Sequence, residues 1–418
     1  MVPRTPSKKQ QLLEAAFTEN LTRFKQLAEE LDHGRGIAKV LVTGTKNGHG
    51  QSALHLAARK GYIDICKYLI SDLGLDIDAK DAQGGTAMLL AFVQGHIDTA
   101  VYLLEKGANP NITDICGFTP LHFAAFEGHE EFLHKLLSKG VNVDALSNVG
   151  TPLQRAALRG KQGAIKILLD HHANPNLSFH GCFTALLSSI IVSSLHSVEL
   201  LLKAGADPNA ASCGVTPLEI AASNQETDMV RCLLKAGANP NVTSVVGQTP
   251  VEISALTGNT EAFQILFPVT SPTPMYSDWS YDGILKHTNS EAGKIQMALK
   301  QKEKFEEAKS EGNKAFRGKD YLTAIFWYTK VISADPSQAT FLSNRSLCFA
   351  HLKYGGAALS DAMDCIKLKP EWPKAYYRAG AAWNVLTKFD QAADAFLKGL
   401  KLDPENKELQ NAYQINCL

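Results

Sequence analysis

The sequence predicts an all-α fold built from two helical-repeat solenoids. Related hexads that begin with serine or threonine recur every 32 to 34 residues through the first two thirds of the chain. A second pattern, with a spacing of 34 residues, follows in the last third. Fixed periods of this length are typical of stacked helix pairs. The 418 residues, 45% hydrophobic and 20% charged, suit a globular chain with several domains.

Residues 1–45 are predicted to form a helical N-terminal cap. The string QQLLEAAFTENLTRFKQLAEEL has the pattern of two helices with a degraded repeat, which suits the exposed end of a solenoid. The first residues carry charge but no apolar run of signal-peptide length. We therefore expect a cytoplasmic protein, with the nucleus as the alternative location.

The first period covers residues 46–267 and gives about seven units. In each hexad the hydroxyl residue suits a helix N-cap, a following proline suits the first turn, and Leu-x-x-Ala starts a buried stripe. Turn elements such as GANPN follow about twenty residues later. The spacing and both motifs resemble the ankyrin repeat. The hexads begin at Ser52, Thr86, Thr119, Thr151, Thr184, Thr216 and Thr249.

Several histidines and glutamates in these units could be interpreted as metal ligands or general acids, but their repeated position favours a structural role. His55 and His122 recur three residues after the capping residue, as do Glu219 and Glu252. That position is the capping-box position, so the sequence predicts neither metal ligands nor general acids here. No cofactor is expected.

Catalysis is also not expected. The string GTKNGHGQS from Gly44 lacks the lysine and glycine spacing of a phosphate-binding loop, so it is interpreted as the loop entering the first ankyrin unit. The eight cysteines are scattered without metal-ligand spacing and are expected to be reduced. They are Cys66, Cys116, Cys182, Cys213, Cys232, Cys348, Cys365 and Cys417.

Charge and hydropathy exclude two classes of partner. Lysine plus arginine equals aspartate plus glutamate at 42 each, so no nucleic-acid partner is expected. The stretch Ala185–Leu202 approaches membrane-span length, but it lies in register with the fifth ankyrin unit. We therefore predict a helix pair there and no membrane span.

Residues 268–290 are predicted to be a linker. The stretch holds three prolines within seven residues together with serine and threonine. Tyr276, Trp279 and Tyr281 argue against full disorder and for docking on a neighbouring surface. An acidic segment within it, YSDWSYD, is an alternative occupant for a groove in the following domain.

Residues 291–418 are predicted to form three repeats of the second period, with an extended first helix and a short capping helix. This spacing resembles the tetratricopeptide (TPR) repeat. Small residues would let the paired helices approach, and bulky ones such as Tyr328 and Phe396 would fill the space between repeats. The residues that define the period are Pro336, Pro370 and Pro404, then Ala324, Ala358 and Ala392, and then Gly312, Ser346 and Gly380.

Five polar residues are predicted to share the concave groove of these repeats, because first helices line that groove. They are Lys309, Asn313, Asn344, Lys374 and Arg378. The strings KSEGNKAF, LSNRS and KPEWPKAYYR resemble the carboxylate clamp of TPR co-chaperones. That family grips the acidic C-terminal tail, ending Glu-Glu-Val-Asp, of the seventy- and ninety-kilodalton heat-shock chaperones. The resemblance implies that Lys309, Asn313, Asn344 and Lys374 hold the terminal carboxylates and that Arg378 completes the polar floor of the site.

Together these features predict an adaptor. The TPR groove would bind a heat-shock chaperone tail, and the ankyrin surface would bind an unknown client or a partner that fixes its location. Phe349 and His351 are expected to line the groove beyond the clamp and to set which chaperone class is preferred. The alternative is a general scaffold with no chaperone partner.

Overall fold

The computed structural model describes residues 7–32, 42, 44–178, 183–211, 215–244 and 247–416. Over these residues the chain is helical and has no strands. The fold is an all-α repeat solenoid, as the two periods predict. Three of the cysteines expected to be reduced, Cys182, Cys213 and Cys417, lie outside the described residues.

In the N-terminal part, the described residues include two helices and then seven helix pairs. The first two are α1 (Lys8–Phe17) and α2 (Leu21–Asp32). The pairs are α3 (Ala53–Arg59) and α4 (Ile63–Lys67), α5 (Ala87–Val93) and α6 (Ile97–Glu105), α7 (Pro120–Glu127) and α8 (Glu130–Leu137), α9 (Pro152–Leu158) and α10 (Gln162–Asp170), α11 (Ala185–Ile191) and α12 (Leu195–Lys203), α13 (Pro217–Ser223) and α14 (Thr227–Lys235), and α15 (Pro250–Leu256) and α16 (Thr260–Leu266). A π-helical turn, Tyr68–Asp72, extends α4, and a 3-10 turn, Phe267–Val269, extends α16.

The C-terminal part contains a joining helix, three long helix pairs and a final helix. These are α17 (Tyr281–Asn289), α18 (Glu291–Arg317) and α19 (Tyr321–Ala334), α20 (Ala339–His351) and α21 (Gly355–Leu368), α22 (Pro373–Val385) and α23 (Phe389–Leu402), and α24 (Lys407–Asn416). Each second helix of a pair ends two residues before one of the periodic prolines, because proline cannot continue a helix.

The described residues form two compact units. The first comprises those of Met1–Ser147, Thr151–Ala156 and Lys166–Ala173. The second comprises those of Asn148–Gly150, Ala157–Ile165 and Asn174–Leu418. The division therefore falls within the fourth ankyrin repeat, and the last three ankyrin repeats belong to the same compact unit as the TPR repeats.

The histidines and glutamates of the hexads cap helices, as predicted. The Ser52 backbone N–H donates to His55 Nδ1 at 3.3 Å, and His55 Nε2 lies 3.2 Å from the Gly85 carbonyl oxygen, to which it donates. Burial lowers the pKa of His55, so this buried imidazole is neutral. The Thr119 N–H donates in the same way to His122 Nδ1 at 3.1 Å.

Glu219 forms a reciprocal capping box with Thr216. The Thr216 N–H donates to Glu219 Oε2 at 3.1 Å, and the Glu219 N–H donates to Thr216 Oγ1 at 3.3 Å. Burial raises the pKa of the Glu219 carboxyl from 4.5 to about 7, although the backbone bond from Thr216 and the charge of Lys330 favour the ionised form. At the equivalent position of the fourth repeat, Gln154 accepts the Thr151 N–H at 2.9 Å.

The loops before the first ankyrin helices share one turn. Asn47, Asp81 and Asp114 occupy equivalent positions, and a side-chain oxygen of each accepts backbone N–H groups two and four residues later at 2.8 to 2.9 Å. The string GTKNGHGQS is therefore the entry loop of the first unit, as predicted.

The long apolar stretch Ala185–Leu202 is divided between α11 and α12. Between them Ser193 adopts a φ of 53°, which turns the chain back. In the described part of the chain, no helix combines the length and the apolar character needed to cross a membrane.

The predicted linker contains an ordered aromatic cluster and a helix. Trp279 stacks on Phe267 with ring centroids 5.7 Å apart, and Tyr281 meets Phe263 edge-on at 5.0 Å. Tyr276 is 7% exposed, and its ring centroid lies 5.6 Å from that of Trp279. The α17 helix, which follows this cluster, packs against both α15 and α18. The aromatic residues of the segment YSDWSYD are thus packed at the last ankyrin helix.

Glycine allows the TPR helices to approach closely. A Cβ atom on Gly312 would lie 2.8 Å from the Tyr328 ring, and one on Gly380 would overlap the Phe396 ring. Tyr328 is 0% exposed and Phe396 is 1% exposed. Both rings therefore fill the space between helices, as predicted from the period.

Candidate functional site

The five predicted clamp residues lie on the first helices of the three TPR pairs. Lys309 and Asn313 are on α18, Asn344 is on α20, and Lys374 and Arg378 are on α22. The α20 and α22 helices contact each other directly. The α22 helix begins at Pro373 and has no acidic residue in its first turn, so Lys374 lies at the positive end of the helix dipole.

Arg378 is a buried cation. Its side chain is 8% exposed, and its Nε donates to the Ser343 carbonyl oxygen at 3.2 Å. Burial is the main reason that the pKa of Arg378 is lowered. No carboxylate of the described residues forms an ion pair with this guanidinium. The helix positions a charge that the folded chain itself does not neutralise.

Lys374 adds a second positive charge one turn away. Partial burial lowers the pKa of Lys374, and repulsion from Arg378 lowers it further. In the described part of the chain it too has no ion-pair partner; Glu408 attracts both cations only at longer range. An anion bound here would relieve the repulsion and interact favourably with the helix dipole.

Arg345, next to Asn344, is neutralised in contrast to Arg378. Its Nε and Nη2 donate to the two carboxylate oxygens of Asp361 at 2.8 and 2.7 Å, and its Nη1 donates to Thr329 Oγ1 at 2.9 Å. This bidentate geometry satisfies a nearly buried ion pair. Arg345 therefore joins α20 to α21 and α19.

The two asparagines meet at the hydroxyl of Tyr328. Tyr328 Oη donates to Asn313 Oδ1 at 3.0 Å, and the side chain of Asn344 approaches the same hydroxyl. Burial raises the pKa of Tyr328 to about 12, so the hydroxyl keeps its proton and acts as a donor. The sequence predicted that the ring of Tyr328 packs between repeats, but it did not predict this polar contact.

Lys309 is held by its own helix. Its Nζ lies 2.9 Å from Glu306 Oε1, and it also lies over the Phe305 ring, 5.2 Å from the centroid. The side chain is 31% exposed. An exposed ion pair of this kind contributes about 0 to 1 kcal/mol, so Lys309 is readily available to another carboxylate.

Contacts in the structure connect four of the five predicted clamp residues. Tyr328 donates to Asn313 and lies near Asn344, and Arg378 binds the backbone of the residue before Asn344. Lys374 interacts electrostatically with Arg378, while Lys309 is placed by α18 one turn before Asn313. Ammonium, guanidinium and amide donors on adjacent helices form a set suited to a carboxylate.

Phe349 does not have the groove position that the sequence predicted for it. It is 3% exposed and packs in the core cluster that contains Tyr328 and Phe341. His351 stacks on Tyr321 with ring centroids 4.4 Å apart and an interplanar angle of 5°. Buried Phe349 influences a ligand only through the helices it supports.

The thiols near the site are buried and protonated. Burial raises the pKa of Cys348 to about 12 and that of Cys365 to about 11. Among the described residues, no group of three or more histidine, cysteine, aspartate or glutamate side chains is placed to hold a metal ion.

Comparison with protein families agrees with both repeat patterns. Ankyrin-repeat models match residues 12–114, 110–179 and 186–273, together more than half of the chain. A model described as "Serine/threonine-protein kinase BSK1-like, TPR repeats" matches residues 282–379.

Curated relatives resemble the TPR-containing part. The chain is 45% identical over 106 residues to the heat shock protein sti1 homolog of Schizosaccharomyces pombe, which is 25% of this chain and 18% of the relative. It is 40% identical over 111 residues to the Hsp70-Hsp90 organising protein of Plasmodium falciparum, which is 27% of this chain and 44% of the relative. The chain thus spans less than half the length of these relatives.

A solved structure resembles the ankyrin part. The human ASB11 ankyrin repeat domain is 26% identical, with a TM-score of 0.46, and is matched over 53% of this chain and 100% of that domain. On the extent of the ankyrin-repeat models, and with a TPR model matching the region that follows, this chain belongs to the ankyrin-repeat family and carries TPR repeats after its ankyrin array.

Proposed function

We propose that the protein is a co-chaperone adaptor whose TPR repeats bind the free C-terminal carboxylate of an acidic heat-shock chaperone tail. Lys309, Asn313, Asn344, Lys374 and Arg378 are the binding residues. The ankyrin repeats bind a second protein, a client or a localisation partner.

The observation that supports this proposal most strongly is the pair of cations on α22. Arg378 is buried without an ion-pair partner among the described residues, and Lys374 lies beside it at the positive end of the helix. Burying a charge without compensation is unfavourable, so such a site favours an anionic ligand. The amides of Asn313 and Asn344 add uncharged donors from the two neighbouring first helices.

The names of the relatives favour a chaperone as the source of the carboxylate. Two of them are called Hsp70-Hsp90 organising protein and heat shock protein sti1 homolog. The matched region is only a fraction of each relative. It supports a shared mode of peptide binding, and the rest of each relative's activity is not carried over to this chain.

The expected affinity is modest. A charge-assisted hydrogen bond contributes about 1.5 to 3 kcal/mol, and association costs about 4 to 15 kcal/mol. A few such bonds therefore give dissociation constants of roughly micromolar size. This range suits transient recruitment of a chaperone.

Calorimetry with the full chain tests the proposal. A peptide ending in Glu-Glu-Val-Asp should bind as the free acid, and the same peptide amidated at its C-terminus should bind at least tenfold more weakly, since a charge-assisted bond is lost. Lys374→Ala should remove most of this difference. Lys367→Ala is the matched control, because Lys367 is 74% exposed and pairs with Asp364 on its own helix.

Equal binding of the two peptides by the wild-type protein would refute the proposal and favour the general scaffold.

Affinity capture from cell extract gives the corresponding test for partners. Heat-shock chaperones should be retained by the wild-type protein and by Lys367→Ala but lost from Lys374→Ala. The ankyrin partner should be retained by all three proteins.

A further inference from the structure

The hydroxyl of Tyr328 has a role that packing does not explain. The TPR position occupied by Tyr328 in the first repeat is occupied by Phe396 in the third. Each ring is buried and packs on the glycine of its own repeat, Gly312 or Gly380. A phenyl ring is therefore sufficient to fill this space, and the hydroxyl of Tyr328 is additional to it.

The contact of this hydroxyl is directional. Tyr328 Oη donates to Asn313 Oδ1 at 3.0 Å, so the carbonyl end of the Asn313 amide is engaged on the inner side of α18. An asparagine amide has one acceptor end and one donor end. With the acceptor end held by Tyr328, the Nδ2 donor end is the part left to bind a ligand. A carboxylate requires donors, so this is the productive orientation.

The same hydroxyl lies at the junction of two repeats. The side chain of Asn344, from the second repeat, approaches it from α20. The hydroxyl has one proton, and it is donated to Asn313 Oδ1, so toward Asn344 the hydroxyl can act only as an acceptor and it orients the Asn313 amide alone. Without the hydroxyl, the Asn313 amide could rotate and present its oxygen, which would repel the ligand.

We propose that Tyr328 is a positioning residue that fixes the Asn313 amide with its N–H group directed at the ligand carboxylate. This inference rests on the proposed function. It adds a specific residue, outside the five clamp positions, that governs recognition of the carboxylate end of the peptide.

The test is Tyr328→Phe in the full chain, measured by calorimetry with free-acid and amidated peptides ending in Glu-Glu-Val-Asp. Free-acid binding should weaken about three- to tenfold, the effect of one net hydrogen bond, while amidated-peptide binding should change less than about twofold. In an Asn313→Ala background, Tyr328→Phe should have almost no further effect, because the amide on which it acts is gone. Tyr321→Phe is the control, since that hydroxyl belongs to the same helix but its ring stacks on His351.

The outcomes separate this inference from the proposed function. If the wild-type protein does not distinguish the two peptides, the proposed function fails. If the wild-type protein distinguishes them and Tyr328→Phe does so equally well, only the positioning role fails. A loss of affinity that is equal for both peptides, that persists undiminished in the Asn313→Ala background, or that accompanies a large fall in melting temperature would assign the hydroxyl to stability and would also overturn the inference.

Discussion

Replacing Arg378 by methionine tests whether the guanidinium contributes to peptide binding rather than to folding stability. Methionine retains much of the length of the side chain and removes the guanidinium. The wild-type side chain is 8% exposed, and its one protein hydrogen bond is from Nε to the Ser343 carbonyl oxygen. The change therefore removes a buried cation and one bond to the backbone.

The two consequences have different sizes. Loss of a charge-assisted bond to the peptide should cost about 1.5 to 3 kcal/mol of binding free energy, which raises the dissociation constant roughly 10- to 150-fold. For folding, the lost hydrogen bond to Ser343 costs about 1 kcal/mol, and this is offset because no charge has to be buried. Arg378→Met should therefore lose most peptide affinity and little thermal stability.

Arg345→Met provides the matched comparison. Arg345 is buried against Asp361 with two bonds of 2.7 and 2.8 Å, and its removal leaves that carboxylate without its partner. Breaking a buried ion pair in this way costs about 3 to 5 kcal/mol. We expect a clear fall in melting temperature for Arg345→Met but not for Arg378→Met.

Scanning calorimetry of both variants, with titration of the free-acid peptide below the melting temperature, measures the two effects separately. The reasoning would be refuted if Arg378→Met lowered the melting temperature as much as Arg345→Met. It would also be refuted if Arg378→Met bound the peptide with wild-type affinity.

Two further predictions concern carboxylates of the chain itself. Glu306→Gln should strengthen binding of the free-acid peptide by up to about fivefold, because Lys309 no longer has to leave an exposed ion pair; a decrease seen by calorimetry would contradict this. Glu219 has a pKa of about 7 when folded, raised from 4.5, so its contribution to stability is full below about pH 4.5 and is lost as the pH rises through 7. Glu219→Gln, which keeps the cap, should therefore raise the free energy of unfolding at pH 8 by up to about 3 kcal/mol and make it depend less on pH between 4.5 and 7. If urea denaturation gave the same pH dependence for the wild-type protein and for Glu219→Gln, this prediction would be wrong.

The helical repeats could be predicted from the sequence because each repeat carries its own local signals. A capping residue, a proline in the first turn and a small residue at the helix contact act within a few positions of one another. They recur, so an error in one unit is corrected by the others. The positions of Lys374 in a first turn and of Gly312 against a bulky ring follow from the same local rules.

The segment between the two arrays was harder to predict because its structure depends on contacts with other parts of the chain. Its composition is that of a linker, but Tyr276 is buried against Trp279, and the half-buried rings of Trp279 and Tyr281 pack on Phe267 and Phe263. No periodic pattern encodes this packing.

The candidate site shows the same limit. The binding role of Lys309, Asn313, Asn344, Lys374 and Arg378 is a prediction from spacing and from resemblance to a clamp motif. The contact between the Tyr328 hydroxyl and Asn313 was not predicted, although the phenylalanine at the equivalent position of the third repeat is a signal that the hydroxyl is not needed for packing. Phe349 was predicted to line the groove, but hydrophobic burial draws its ring into the core, where it is 3% exposed.

The aromatic cluster beyond the last ankyrin helix determines where the protein can be cut for separate study. A fragment that stops at residue 267 would leave the rings of Phe263 and Phe267 uncovered, and a new exposed apolar patch promotes self-association. A fragment that continues to residue 290 keeps Trp279, Tyr281 and α17 over those rings and should remain monodisperse at higher concentration.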